Sequence, residues 1–430
     1  MTAQAPANGA SLADWLAYLE AAHPVGIDMG LTRVAKVRDA MQLQPAFPLV
    51  IVGGTNGKGS VCAMLSTMLN RAGFKVGTYT SPHILRYNER VAIDMQPLPD
   101  ADIVAGFAAV EAARGDTSLT YFEYGTLAAM HAFLQQHVDV AVLEVGLGGR
   151  LDAINVFEPT VSVVVSVDLD HQAYLGDTRE LVGFEKAGIY RPGKAAICAD
   201  PNPPQSLLQH AANIGADLKL LGRDFGISRM ENQWSFHMGD VHKHALPIPA
   251  LRGEYQMVNA ATALAVLEAL KPLLPVSIGA IKRGLLEVDW PGRFQVLPGR
   301  PLTVLDVGHN PHAARALADS LKRMAFANKR IAVFSMLSDK DLSAVVRLLQ
   351  DEFDEWLVAG LDMPRGRSAD DIAGELESMG VKGVSRFNSI PEAWDAALSR
   401  AGENDRIVVF GSFHTVAEVM QHRLHHRAQG

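Results

Sequence analysis

The chain has 430 residues, 48% of them hydrophobic and 20% charged, which favours two or three packed domains and excludes a disordered polymer. A formal net charge of −8 offers no general attraction for nucleic acid or membrane, although a local basic pocket can still take a small anion. Two distant cysteines, Cys62 and Cys198, exclude a disulfide framework, no apolar run nears the roughly 20 residues of a membrane span, and the first basic residue is Arg33, so a cytoplasmic enzyme is expected.

Short apolar runs alternate with helix-length amphipathic segments, the pattern of an α/β protein with mostly parallel sheet. The first run, "PLVIVGG" (48–54), is a strand that leads into "TNGKGS". Gly53, Gly54, Gly57 and Gly59 let backbone N–H groups approach phosphate oxygens, and the next helix offers its positive end. Lys58 would reach the β- and γ-phosphates and Ser60 would give Mg²⁺ a hydroxyl, so a nucleoside triphosphate site is expected. The spacing is unusual, because Gly59 stands between Lys58 and Ser60. Val61, Met64, Leu65, Met68 and Leu69 then fall on one helical face.

The next strand is "DVAVLEVG" (139–146), with Glu144 at its end as the expected metal-holding acid; a helix cap or an ion-pair partner is the plainer alternative. Arg150 and Asp152 follow a glycine-rich turn. "TVSVVVSVD" (160–168) is expected beside the strand that ends at Glu144, bringing Asp168 and His171 to the sheet end where ligands collect. Imidazole and carboxylate both serve Mg²⁺ or Mn²⁺, although Mg²⁺ prefers oxygen. Lys186 is not explained by spacing: an ammonium repels a metal, and the plain reading is a surface lysine on a helix.

Segment 200–255 is less regular and reads as a peripheral part of the first domain, followed by a helix from about Gln256 to Leu270. The Pro- and Gly-rich stretch 289–301 reads as a domain junction, with Arg293 able to reach a phosphate from it. Strands at 302–308, 330–336, 355–360 and 406–412 then predict a second, smaller α/β domain. Asp306, His309 and Asn310 stand at one strand end, and Asn310 caps a helix begun by Pro311. The terminal "HRLHHR" (422–427) reads as a solvated helix face rather than a metal site. The absence of an Asn-Lys-x-Asp element argues against a GTPase.

Taken in order, "IDMGL" (27–31), "GGTNGKGSV", "TSPHILRYNERV", "SLTYFEYGTLAA", "EVGLGGRLDA", "EKAGIYRPG", "WPGRFQ", "DVGHNPHAA" and "GSFHTVAEVM" closely resemble the bacterial dihydrofolate synthase/folylpolyglutamate synthase family of the Mur ligase superfamily. The resemblance begins at "SLADWLAYLE" and covers nearly the whole chain, and the family's loop carries the same Gly after Gly-Lys. It implies an N-terminal P-loop ATPase-type domain with a mostly parallel sheet (1–294), binding ATP and the pterin, and a smaller C-terminal Rossmann-like α/β ligase domain (295–430).

The implied activity is ATP-dependent addition of L-glutamate to 7,8-dihydropteroate, then of further γ-linked glutamates to reduced folates, through an acyl phosphate. Carried over by motif, Asn56, Gly57, Lys58, Gly59, Ser60, Asn259, Arg293 and Asp306 would hold ATP. Ser60, Ser81, Glu144, His171 and Lys186 would hold two Mg²⁺ ions, Lys186 as a carbamate, which turns the unexplained cation into an oxygen ligand. Lys58, Glu144, His171 and Lys186 would be the catalytic set. Asp28, Thr120, Tyr121, Phe122, Glu123, Leu151, Asp152 and Ala153 match the pterin-site residues. Ile154 replaces the family's usual Thr, which would remove a hydroxyl beside the pterin; Gly308 replaces Ala, and "VSVDLDH" departs from the usual run. The expected partners are small molecules, with no nucleic acid or membrane, and a monomer is expected. The rivals are a peptidoglycan-type Mur ligase, against which "TYFEYGT" and "IDMGL" count, and a P-loop kinase.

Overall fold

The computed structural model describes residues 5–7, 9–363 and 365–429, with side chains described up to residue 426. The chain forms two compact units. The first comprises Met1–His83, Tyr87–Ala250 and Met257–Val288, and the second Ile84–Arg86, Leu251–Gln256 and Asp289–Gly430.

Among the described residues, the main sheet of the first unit has eight strands: β1 (Leu49–Gly53), β2 (Val76–Tyr79), β3 (Val91–Ile93), β4 (Gln96–Pro97), β5 (Val140–Glu144), β6 (Val161–Val164), β7 (Ala195–Cys198) and β8 (Asp217–Leu220). Their spatial order is β4-β3-β2-β5-β1-β6-β7-β8. Pairing is parallel from β2 to β8, and β3 and β4 add an antiparallel margin. β1 and β5 are buried at every residue, which explains their unbroken apolar runs: a parallel strand covered on both faces has no solvent side to mark.

This order corrects one expectation. β6 does not lie beside the strand ending at Glu144; β1 lies between them, so the phosphate-loop strand is flanked by β5 on one side and β6 on the other. Apolar content identifies strands but does not say which neighbours they choose.

The expected helix after the loop spans Lys58–Arg71, with Val61, Met64, Leu65, Met68 and Leu69 all buried. Every other residue from Gly59 to Leu69 is buried too, so the helix is enclosed all round. Segment 200–255 is also more regular than expected. It holds the helix Gln205–Ile214, the edge strand β8, and a separate antiparallel sheet of β9 (Phe225–Arg229), β10 (Gln233–Met238) and β11 (Val241–Pro247). The expected helix after it spans Tyr255–Leu270.

Among the described residues, the second unit has six strands: β12 (Gln295–Leu297), β13 (Leu302–Asp306), β14 (Arg330–Phe334), β15 (Glu355–Ala359), β16 (Val384–Phe387) and β17 (Arg406–Phe410), in the order β12-β13-β17-β14-β15-β16. Only the β12–β13 pair is antiparallel. Successive residues alternate between two cores: Val304, Phe334, Trp356, Val358, Val408 and Phe410 pack on one face, and Leu305, Ile331, Val333, Leu357, Ile407 and Val409 on the other. Asn310 caps the helix Pro311–Lys322 as expected, its side chain accepting a hydrogen bond from the Ala313 N–H at 2.9 Å. No helix among the described residues is long and apolar enough to cross a membrane.

Candidate active site

The loop after β1 is clamped to the loop after β6. The Thr55 N–H donates to Ser166 O at 2.8 Å, the Asn56 N–H donates to Ser166 Oγ at 3.0 Å, and Thr55 Oγ1 donates to Asp168 O at 3.0 Å. Gly57 caps the following helix with φ 89°, and a Cβ there would stand 2.8 Å from both Asn259 Oδ1 and Val165 Cγ1. Glycine is therefore required twice, by backbone hand and by the approach of Asn259. Lys58 Nζ donates to the loop's own carbonyls, Gly54 O at 3.1 Å and Thr55 O at 3.3 Å. Ser60 sits buried in the first helical turn.

Glu144 ends β5 with 4% exposure, aligned with Val52 of β1, and its Oε2 accepts a hydrogen bond from the Ser81 N–H at 3.1 Å. Ser81 follows β2, the other neighbour of β5. Three adjacent strands thus deliver the phosphate loop, Glu144 and Ser81 to their carboxyl ends. Buried Cys62, one turn into the loop helix, feels both Glu144 and Lys58: burial pushes its thiol well up, the Glu144 charge adds to that and Lys58 opposes it.

His171 stands in the left-handed region at φ 51°, ahead of the short helix Gln172–Leu175. Its Nε2 lies 4.0 Å from Asp170 Oδ1. Asp168, the other polar residue at this end, turns Oδ1 to the neighbouring Leu169 N–H at 2.8 Å. Lys186, on the helix Arg179–Ala187, is no surface lysine: it is 4% exposed. Burial pushes its amine down to about 7, the positive charge of Lys58 adds to that, and Asp170 and Asp152 oppose it. Asp170, which the sequence does not single out, stands out as a charged neighbour of both His171 and Lys186.

Several of the residues matched to a pterin site are committed to the scaffold. Thr120 and Glu123 form a capping box for the helix Tyr121–Gln135: Thr120 Oγ1 accepts from the Glu123 N–H at 3.2 Å, and Glu123 Oε2 accepts from the Thr120 N–H at 2.8 Å. Glu123 Oε1 also meets Arg33 Nη2 at 3.2 Å, and Arg33 Nη1 pairs with Asp28 Oδ2 at 2.7 Å. Arg33, missed in the sequence, is the link between Asp28 and Glu123. The Phe122 ring packs so closely on Gly146 that a Cβ there would stand 2.7 Å from Cζ. The Arg90 guanidinium lies 5.5 Å from the Tyr87 and Tyr121 ring centres.

Asp152 is buried, and both oxygens serve its own loop: Oδ2 accepts from the Leu147 N–H at 2.8 Å and Oδ1 from the Ile154 N–H at 3.1 Å. Burial pushes its carboxyl up to about 6 against the pull of those N–H groups and of Lys58. Leu151 precedes it and Ala153 follows, buried. Ile154, where a hydroxyl was expected to be lost, is fully buried in the core of the unit. Met29, from "IDMGL", approaches the Gly148 turn, its Cε 3.4 Å from where a Cβ would lie.

In the second unit, Asp306 ends β13 and accepts hydrogen bonds from the Phe294 N–H at 2.8 Å and the Gly308 N–H at 2.7 Å. Burial raises its carboxyl, and those N–H groups and Arg293 oppose the shift. A Cβ at Gly308 would stand 2.7 Å from Asp306 Oδ1. The Arg293 guanidinium lies 4.9 Å from the Phe413 ring centre and 5.8 Å from that of Trp290. His309 Nδ1 lies 2.9 Å from Val307 O.

Comparison with known proteins places this geometry in a family. The Mur ligase middle domain matches residues 52–267, and the Mur ligase glutamate ligase domain matches residues 292–413. The chain is 45% identical over 417 residues to the dihydrofolate synthase/folylpolyglutamate synthase of Escherichia coli strain K12, covering 97% of this chain and 96% of that protein. Its fold superposes with a TM-score of 0.94 on Escherichia coli FolC in complex with DHPP and ADP, at 43% identity over 98% of this chain and 100% of that one. The bifunctional folylpolyglutamate synthase/dihydrofolate synthase of Yersinia pestis, complexed with AMPPNP and Mn ion, gives 0.92 at 44% identity, covering 98% of this chain and 100% of that one. With its two α/β units and mostly parallel sheets, this chain belongs to the dihydrofolate synthase/folylpolyglutamate synthase family of Mur ligases, which are ATP-dependent ligases.

Proposed function

We propose that the chain joins L-glutamate to 7,8-dihydropteroate to give dihydrofolate, adds further γ-linked glutamates to reduced folates, and uses ATP for both. The reading is carried by the grouping of a phosphate loop, buried Glu144 and Ser81 at the ends of adjacent strands β1, β5 and β2. A carboxylate oxygen of the acceptor attacks the γ-phosphorus, ADP departs, and an acyl phosphate forms. The glutamate amine then attacks the acyl carbon, inorganic phosphate leaves with the bonding pair, and the amine gives up a proton. Phosphorylation is needed because a carboxylate oxygen is otherwise a poor leaving group.

Asn56, Gly57, Lys58, Gly59 and Ser60 are assigned to the ATP phosphates, and Asn259, Arg293 and Asp306 to the rest of the nucleotide. Lys58 carries the positive charge that follows the transferring phosphoryl group. Ser60, Ser81, Glu144, His171 and Lys186 are assigned to two Mg²⁺ ions. The donor set fits a hard cation through the near-fully buried Glu144 carboxylate and Ser60 hydroxyl. When bound, such ions neutralise charge on phosphate oxygens.

Lys186 fits as a carbamate: its neutral amine attacks CO₂, an N–C bond forms and one proton leaves. Burial beside Lys58 supports the neutral amine. For the pterin, Asp28, Tyr121, Phe122, Leu151 and Ala153 are assigned to contact, and Thr120, Glu123 and Asp152 to holding the helix start and the loop. Residues 1–294 are assigned to ATP and pterin binding and 295–430 to the ligase domain. The enzyme works as a cytoplasmic monomer on small molecules. Phosphate release from ATP is the test. It should require both 7,8-dihydropteroate and glutamate, and release at the same rate without either would contradict the reading.

A further inference from the structure

We propose that Asp395, His422 and His426 form a binding site for a borderline transition-metal ion such as Zn²⁺, made of residues the ligase chemistry does not use. His422 and His426 lie four residues apart on the helix Phe413–Gln429, and so on one face of it. Asp395 comes from the helix Ile390–Arg400, which packs alongside. His422 Nε2 lies 2.9 Å from Asp395 Oδ1, 3.0 Å from Oδ2 and 3.1 Å from His426 Nε2. The two imidazole rings stand 4.4 Å apart, nearly perpendicular at 78°. Among the described residues this is the grouping in which three His, Cys, Asp or Glu ligand atoms lie within 4.8 Å of one another.

Protons serve this triangle badly. His422 Nε2 has one lone pair or one N–H, yet it faces a carboxylate, which needs a donor, and a second imidazole nitrogen at the same time. If it donates to Asp395, it has no lone pair for a His426 N–H, and a neutral His426 can only take a share of the same proton as a second acceptor. If it accepts from His426, its lone pair opposes the carboxylate. A cation removes the conflict, because all three atoms then offer lone pairs to one centre. Two edges fit in size as well: ligands about 2.0–2.1 Å from a tetrahedral ion lie about 3.3 Å apart, within a few tenths of an ångström of the distances from His422 to Asp395 and to His426, and the third pair lies within 4.8 Å.

The donor set selects the ion. Two imidazoles and one carboxylate suit zinc and its neighbours, whereas Mg²⁺ prefers an all-oxygen shell. Asp395 is half exposed, which leaves a fourth position open to water. The solvated histidine face expected from "HRLHHR" is therefore half of the arrangement; the other half is an aspartate 27 residues earlier. Arg427, the last residue of that stretch, has its side chain outside the described residues. A bound ion would tie the end of the helix Phe413–Gln429 to its neighbour, and an ion that binds the folded form alone raises its stability.

The test uses the full, untagged chain stripped by a chelator and held in saturating Mg²⁺ and ADP. Zn²⁺ is titrated into the wild type, His426→Gln and Asp395→Asn, and Co²⁺ serves as a spectroscopic substitute. The wild type should bind one equivalent of Zn²⁺ that each variant binds at least about tenfold more weakly, the least effect expected when even a supporting partner of a ligand is lost. It should also melt higher with Zn²⁺, and show the visible absorption of a low-coordinate Co²⁺ site. Ligase activity without Zn²⁺ should be the same in all three. Equal Zn²⁺ stoichiometry and affinity in the variants would overturn the proposal. So would a wild type without that Co²⁺ absorption, a result that does not depend on how well the variants fold.

Discussion

At the scale of single residues, Lys186 and Asp152 show how burial assigns work. A lysine with 4% exposure and a second lysine charge nearby is driven toward its neutral form, whereas a carboxylate in the same surroundings is driven to hold its proton. Folded Lys186 titrates near 7 against 10.5 for an ordinary lysine, so between those values the unfolded chain holds a proton that the folded chain lacks. Stability from this group therefore rises with pH across that window. In bicarbonate-free buffer, Lys186→Met should exceed the wild type in stability most below about pH 7, and the gap should shrink as pH rises toward 10.5. Denaturant midpoints across that range check it, and a gap independent of pH would contradict the assigned environment. The sequence pointed to Lys186 only through family likeness. Nothing in its spacing announced burial, because the residues that enclose it come from distant segments. Arg33 and Asp170 were invisible for the same reason: their importance lies in the partners that folding brings.

Elements were most legible where a local rule acts alone. β1, β5 and β13 to β17, apart from the unread β16, are apolar runs between turn signals, and the phosphate loop declares itself by its glycines. β2 and β7 were not read, since "VGTY" and "AAIC" are four residues long and carry small residues that weaken any strand pattern. β9 to β11 were hidden by polar, partly exposed sequence with a register shift between Trp234 and Phe236, so no clean alternation survives. The position of β6 beside β1 is a matter of long-range pairing and has no local signature. The capping box at Thr120 is spelled by "TYFE", although that segment reads first as part of a pterin site. Thr120→Ala should cost about 1 kcal/mol of stability by losing the cap. It should leave kcat largely unchanged, because the hydroxyl is bonded to the helix start rather than aimed outward. Urea unfolding beside a turnover assay separates the two. A collapse in kcat at unchanged stability would make Thr120 a substrate contact instead.

At the scale of the whole molecule, the family was legible because nine motifs occur in the right order across nearly the entire chain. Each unit has a mostly parallel sheet with buried central strands, which accounts for the high apolar content without invoking a membrane. The net charge of −8 carries no information about anionic substrates, since the proposed recognition of phosphate needs only local groups such as the loop before the helix Lys58–Arg71 and its lysine. What that arrangement is proposed to do is convert a carboxylate into an acyl phosphate, and isotope transfer tests this most directly. With oxygen-18 in the carboxylate of 7,8-dihydropteroate, the account predicts that each turnover places one labelled oxygen in the released inorganic phosphate. Phosphate released without label during productive ligation would contradict it.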